Sequence, residues 1–268
     1  MLKFISLLPK DLFNITGISR KTQSNSEINW LIGDISDVDF VESACKNQNI
    51  IIHAAAITHS FKNKPYFEIN YHSTKKLIDC ANEANVEKFI YISSRTAVAH
   101  SGGYGISKMK AEDYLKNNFD NWLIYRPSEI FGGSKNEGID SLINDVSTKK
   151  IQLYPAGVKS KLFPIHVDDA VKLMFDFMNV NCKTIGINGN EGYTYLEFIN
   201  KVSTLMGKNV IALPIPKFVM IVLKYTMETF NLKLGVTPDQ IPRLYCIKPH
   251  NSNQLEIKNK LKNYISSL

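Results

Sequence analysis

An α/β fold carrying a doubly wound parallel sheet is what this sequence predicts, on three observations. Short apolar runs alternate with segments of helical spacing through the first half. One run, "NIIIHAAA" at 49–56, is apolar without alternation, as a strand covered on both faces requires. After about residue 132 the pattern loosens into helices and short strands. That change predicts a smaller C-terminal α/β lobe beside the sheet's carboxyl edge, where ligands of such sheets bind.

Each element follows from local pattern. "LKFISLL" has apolar residues at helical spacing, and "NITGISR" (14–20) and "EINWLIGD" (27–34) read as strands. "DVDFVESACKNQ" (37–48) is helical, with Ser36 or Asp37 as its cap. The strand at 49–56 precedes a long helix, "YFEINYHSTKKLIDCANEA" (66–84). "KFIYIS" (88–93) is a strand, "SKMKAEDYLKNNF" (107–119) a helix, and "NWLIYRPSEIF" (121–131) begins as a strand. The second half offers a helix at 138–150, short strands at "IQLYPAG" and "KLFPIHV" (161–167), and a helix at 168–178, which Asp168 and Asp169 should cap. A strand at 183–190 and a helix at 194–207 follow, the latter closed by Gly207. "VIALPIP" precedes an apolar helix, "FVMIVLKYTMETF" (218–230), expected as a core helix because Lys224 and Glu228 leave it too short to span a membrane. The implied division is a Rossmann-like unit over 1–132 and about 164–190, with a substrate lobe over 133–163 and 191–268.

Composition narrows the function. The net charge is +7, yet only four basic residues are Arg (Arg20, Arg95, Arg126, Arg243), and the lysines are scattered. Base-reading proteins lean on Arg, so nucleic acid is not an expected partner; an anionic small ligand is. Cys45, Cys80, Cys182 and Cys246 are far apart, with no CxxC pair or Cys/His cluster. No metal site is expected, and the cysteines read as free thiols of a reducing, cytoplasmic compartment. The start lacks a signal-peptide core and cleavage site.

The chemistry concentrates in "YISSRTAVAHSGGYGISK" (91–108), where Tyr104 and Lys108 stand four residues apart on one helix face. A phenol near an ammonium trades a proton near neutral pH, and a serine hydroxyl opposite would hold a substrate oxygen. Spacing alone is weak, because Tyr71–Lys75 repeats it. Context separates the two: Tyr104 follows a strand ending in Ser93–Ser94 and a glycine turn, whereas Tyr71 lies inside a helix. Ser94 is the expected hydroxyl, with Ser93 and Thr96 as alternatives at a strand end.

The order of these motifs resembles the extended short-chain dehydrogenase/reductase superfamily, specifically its NAD-dependent epimerase/dehydratase group acting on nucleotide sugars. "GDISD" (33–37) resembles the Gly-Asp-hydrophobic segment, which implies Asp34 and Ile35 at the adenine. "HAAAITH" (53–59) resembles the His-x-Ala-Ala segment, implying Ala54, Ala55 and Ala56 along the cofactor and Thr58 towards substrate. "NYHST" (70–74) resembles Asn-x-x-Gly-Thr, with Asn70 kept and Ser73 in place of glycine. "RPSEIFGG" (126–133) resembles the loop that touches nicotinamide and substrate, implying roles for Arg126, Pro127, Ser128 and Glu129. "IHVDDAV" (165–171) resembles an architectural His-Val-x-Asp turn; His53 and His166 are read as packed structural histidines. The implied catalytic set is Ser94, Tyr104 and Lys108. Ser93 joins the cofactor set, and Arg95, Lys159 and Lys161 join the substrate set. The resemblance also implies a nucleotide-sugar substrate and, by analogy, a homodimer.

Departures sharpen the expectation. The family opens with a strand and a GxxGxxG turn whose helix holds the pyrophosphate. No such turn occurs here, so roughly 15 residues, a strand and its turn, are expected to be missing from the chain as written. Misplaced start or true truncation, the consequence expected is weak cofactor binding and reduced stability. The segment from Ser94 to Tyr104 is shorter than in most relatives. Arg95–Thr96 replaces the acidic pair of the 4,6-dehydratases, which leaves epimerase or 4-keto reductase. Arg20 after the second strand suits a 2′-phosphate, which favours NADP over NAD. The alternative is a catalytically silent nucleotide-binding scaffold or remnant.

Overall fold

The computed structural model describes every residue except 1, 10, 26–27, 134–136, 235, 251–257, 259–260 and 268. The first half runs α1 (Leu2–Ile5), β1 (Thr16–Ser19), β2 (Asn29–Ile32), α2 (Val38–Cys45) and β3 (Ile50–His53). A π-helix (Tyr66–Ser73) then leads into α3 (Thr74–Glu83), β4 (Lys88–Ile92), α4 (Gly102–Asn118) and β5 (Trp122–Pro127). The second half runs β6 (Ile130–Phe131), α5 (Ile139–Thr148), β7 (Ile151–Pro155), β8 (Ile165–His166), α6 (Val167–Asp176) and β9 (Lys183–Ile187). It ends with α7 (Tyr195–Leu205), β10 (Ile211–Ile215), α8 (Lys217–Phe230), α9 (Gln240–Tyr245) and α10 (Leu261–Ile265).

The main sheet has the order β3-β4-β5-β9, all parallel, with His53 opposite Tyr91, Ile92 opposite Tyr125 and Arg126 opposite Gly186. Its side chains alternate with the pleat. Phe89, Tyr91 and Ile124 point into a core with Val41, Ile78, Ala81 and Leu115 of α2, α3 and α4. Ile90, Leu123 and Tyr125 point the other way, onto Ala170 and Leu173 of α6 and Phe4 of α1. The absence of polar alternation in these strands thus reflects burial on both faces. A third core joins Phe131, Ile143 and Val146 to Phe198, Ile199 and Val202 of α7.

The parallel sheet expected from sequence is present, but in two pieces. β1 and β2 pair with each other alone, Ile18 opposite Leu31, and are not hydrogen-bonded to the main sheet. Between β1 and β3 lies a cavity of about 520 Å³, lined among others by Thr16, Ile18, Ile50, Ile52, Leu77 and Met178. β1 and β3 therefore each present a strand edge towards this space.

Several local expectations change. The strand expected over 49–56 ends at His53, so Ala54–Ala56 form a loop at the sheet's carboxyl edge. The first half of the helix expected over 66–84 is a π-helix, a widened form that recurs near functional sites. Asp37 caps α2, accepting from the Phe40 amide at 3.2 Å. The cap of α6 is not Asp168 or Asp169 but His166, whose Nδ1 accepts from the Asp168 amide at 3.3 Å. Thr194 and Glu197 close a reciprocal capping box on α7. α8, expected as a core helix, buries Met220 and Met227 while Phe218, Val222, Tyr225 and Phe230 stay exposed. No helix among the described residues is long and apolar enough to cross a membrane.

Candidate active site

The site forms where β4 stops and α4 starts. Gly102 takes φ +83°, a backbone conformation that favours glycine, and turns the chain into the helix. Gly105 lets that helix sit against the preceding loop: a Cβ there would meet the Thr96 carbonyl oxygen at 2.1 Å. The first turn of α4 consequently lies close to the loop that carries Ser94.

Tyr104 is half-buried, and the Ser94 hydroxyl lies near enough to its phenol to favour the anion. Ser94 Oγ is also 2.9 Å from Thr96 Oγ1, so two of the three candidate hydroxyls lie together. Ser93, the third, points elsewhere and donates to Glu112 at 2.5 Å. Burial pushes the Tyr104 phenol up. The Arg243 guanidinium pulls it down, as does the Ser94 hydroxyl, while Tyr66 and Asp239 push it up.

Lys108 is buried one helical turn after Tyr104. Its ammonium donates to the Ile92 carbonyl at 2.8 Å and lies 4.5 Å from the Tyr91 ring centroid. Burial lowers it to about 7, against the pull of Glu112. The cation over the Tyr104 ring is Arg243, at 4.2 Å. Arg243 is held by Asp239 and donates to the Tyr66 hydroxyl at 2.9 Å. Asp239 also accepts from the Gly103 and Tyr104 amides at the start of α4.

Other sequence candidates are distributed around this centre. Arg126 forks onto the buried Glu112, with Nε 2.9 Å from Oε1 and Nη2 2.6 Å from Oε2. Ser128 donates to the Phe163 carbonyl at 2.5 Å, and the Pro127 carbonyl accepts from the Arg95 amide at 3.1 Å. Arg95 is buried and pairs with Glu129 at 3.0 Å, so these two substrate candidates engage each other. Asn70 binds both the Ile57 amide (2.8 Å) and the Ile57 carbonyl (2.9 Å), fixing the loop after β3. Ala54, Ala55 and Thr58 are exposed on that loop and Ala56 is half-buried. Lys159 and Lys161 are exposed, although the Lys161 carbonyl accepts from Arg95 at 3.2 Å. Asp34 accepts from the Ser36 amide and hydroxyl, which hold its carboxyl below the usual range, with a smaller pull from Arg20. Ile35 packs against the first core. His53 is buried, hydrogen-bonded to Thr74 at 2.9 Å and stacked on Tyr91.

Sequence reasoning missed Glu112, Tyr66, Asp239 and Arg243. Glu112 follows Lys108 by four residues, and Arg243 follows Asp239 by four, so each pair shares a helix face. That spacing was the available signal, but lysine-rich chains produce it often.

Residues 11–123 match the model of the 3-beta hydroxysteroid dehydrogenase/isomerase family. The chain is similar to the mouse (Mus musculus) mitochondrial NADH dehydrogenase [ubiquinone] 1 alpha subcomplex subunit 9, at 22% identity over 82% of this chain and 59% of that protein. It is also similar to UDP-glucose 4-epimerase of Vibrio cholerae, at 26% identity over 69% of this chain and 65% of the epimerase. It therefore spans less than two thirds of the length of either relative. Among solved structures, that of MoeE5 in complex with UDP-glucose and NAD matches with a TM-score of 0.72 and 15% identity, covering 98% of this chain and 91% of that one. At that identity the likeness speaks for the α/β fold alone.

Proposed function

We propose that this chain is an NAD(P)-dependent epimerase or 4-keto reductase acting on a nucleotide-linked sugar. The observation that carries the reading is the placement of Ser94 and Tyr104 together at the carboxyl end of the central strand β4, with the Ser94 hydroxyl near enough to favour the Tyr104 anion. It gains weight from the epimerase relative and from MoeE5, the structural neighbour that holds UDP-glucose and NAD.

The described residues suit a nicotinamide dinucleotide at its two ends. Asp34 offers a carboxylate beyond β2, and Arg20, exposed after β1, suits a 2′-phosphate, which favours NADP over NAD. Ile35 would border the adenine. Ala54, Ala55 and Ala56 allow close backbone approach past β3, on the loop that Asn70 fixes. Lys108, Ser93 and the Arg126–Ser128 segment would border the nicotinamide end. Bound there, the cofactor supplies a reversible hydride acceptor.

Tyr104 takes the proton from the sugar hydroxyl as the carbon beneath it loses hydride, and returns it in the reverse direction. Ser94 holds the sugar oxygen in line with the phenol. Thr58, Arg95 and Glu129 frame the substrate side, with Lys159 and Lys161 as exposed cations for a diphosphate. The division into a cofactor unit (1–132, about 164–190) and a substrate lobe (133–163, 191–268) belongs to this reading, as do a cytoplasmic location and the homodimer. Titrating NADPH and NADH into the purified chain tests it. Saturable binding of either supports the reading, tighter for NADPH if Arg20 meets the phosphate; no binding of either sinks it.

A second reading is a nucleotide-binding scaffold without turnover. The mouse relative named as an NADH dehydrogenase subunit favours it, as does the separation of β1–β2 from the main sheet. The two readings part on turnover, not on binding.

A further inference from the structure

α9 and the residue before it reach across to the start of α4. Asp239 is nearly fully buried and accepts from the Gly103 and Tyr104 amides, so it ties this segment to the helix that presents Tyr104. The same carboxylate holds Arg243, whose Nε lies 2.7 Å from Oδ2. The guanidinium is thereby fixed between two tyrosine rings, 4.2 Å from the Tyr104 centroid and 5.4 Å from that of Tyr66. A planar guanidinium stacks on an aromatic face in a way that a lysine ammonium does not reproduce. Lys108, the cation one turn from Tyr104 on the same helix, is committed to the Ile92 carbonyl and the Tyr91 ring.

We propose that Arg243 is a positioning residue for Tyr104, placed by Asp239 to supply the positive charge that stabilises the tyrosine's anion during proton exchange. The proposal deepens the epimerase/reductase reading, because proton exchange at Tyr104 is part of it. The groups facing the phenol are Arg243 and Asp239 from the α9 segment, Tyr66 from the π-helix, Ser94 from the loop after β4, and Tyr91 from β4 itself. Of these only Arg243 carries positive charge. The Asp239 carboxylate offsets part of that charge, so its net effect is smaller than that of a bare cation at this distance. The α9 segment would thus set the acidity of a side chain that it does not covalently neighbour.

The test reads Tyr104 directly, with neither cofactor nor substrate. Phenolate absorbance is followed against pH for the wild type and for Y104F, and the difference between the two curves is the Tyr104 titration. R243Q keeps hydrogen-bonding capacity towards Asp239 and Tyr66 and removes the charge; R243K keeps the charge. The expected result is a Tyr104 midpoint about one pH unit higher in R243Q, a tenfold smaller phenolate fraction at a given pH, with most of the shift recovered in R243K. An unmoved midpoint in R243Q, or equal shifts in both variants, overturns the proposal. Because turnover is not measured, failure of the epimerase/reductase reading leaves this result interpretable.

Discussion

Glu112 and Arg126 form a fork inside the protein: Nε of Arg126 lies 2.9 Å from Oε1 and its Nη2 2.6 Å from Oε2, with the Glu112 side chain fully buried. Ser93 also donates a hydrogen bond to the same carboxylate. The fork joins α4 to β5 and the end of β4, so it holds the strand ends on which the candidate site is built. Removing one partner strands the other as an unpaired charge, which costs about 3–5 kcal/mol. E112A should lower folding stability by that order in urea unfolding. A loss below about 1 kcal/mol would mean that the fork is not what holds these elements.

His53 gives the stability a specific pH dependence. Burial lowers its imidazole from 6.5 to about 3, with a smaller push from Lys108. Folding therefore favours neutral His53, and the unfolded chain binds more protons between those values. This contribution to stability is fully present above 6.5 and is lost as the pH falls towards 3. H53N should flatten that part of the stability–pH curve measured by chemical unfolding. A variant curve parallel to the wild type across the window would rule the assignment out.

The two pieces of sheet should differ in how they open. β4 and β5 are central strands with neighbours on both sides, whereas β1 and β2 have only each other. Amides in the less supported piece should exchange at lower opening free energies. Hydrogen-exchange mass spectrometry should show slowest exchange over 88–92 and 122–127 and fastest over 16–19 and 29–32. Equal protection would mean that the pair is joined to the main sheet in solution.

Much of this architecture was legible in the sequence. The continuous apolar run at 49–56 declared a strand covered on both faces, strands were read at 88–93 and from 121 onward, and all three lie in one parallel sheet. The hydroxyl and phenol of Ser94 and Tyr104 were legible because a strand, a glycine turn and a helix follow one another within a short span. What was not legible depended on distant partners. Arg95 and Glu129 looked like substrate groups in sequence and are found paired with each other. Arg243, a residue of unremarkable surroundings, stands over Tyr104 only because the chain returns after more than a hundred residues. α8 looked like core from its composition, yet exposes most of its apolar residues, since hydrophobicity alone does not say what covers a helix.

Turnover by the Tyr104→Phe variant tests the central claim most directly. Purified wild type and Y104F would be incubated with NADPH or NADH and a 4-keto nucleotide sugar, following nicotinamide oxidation, and with NAD(P)+ and a nucleotide sugar, following formation of its C4 epimer, with folding checked by circular dichroism. Wild type should turn over, and Y104F, equally folded, should lose at least about a hundredfold, as removal of a general acid–base group does. Equal turnover by the two proteins would contradict the account.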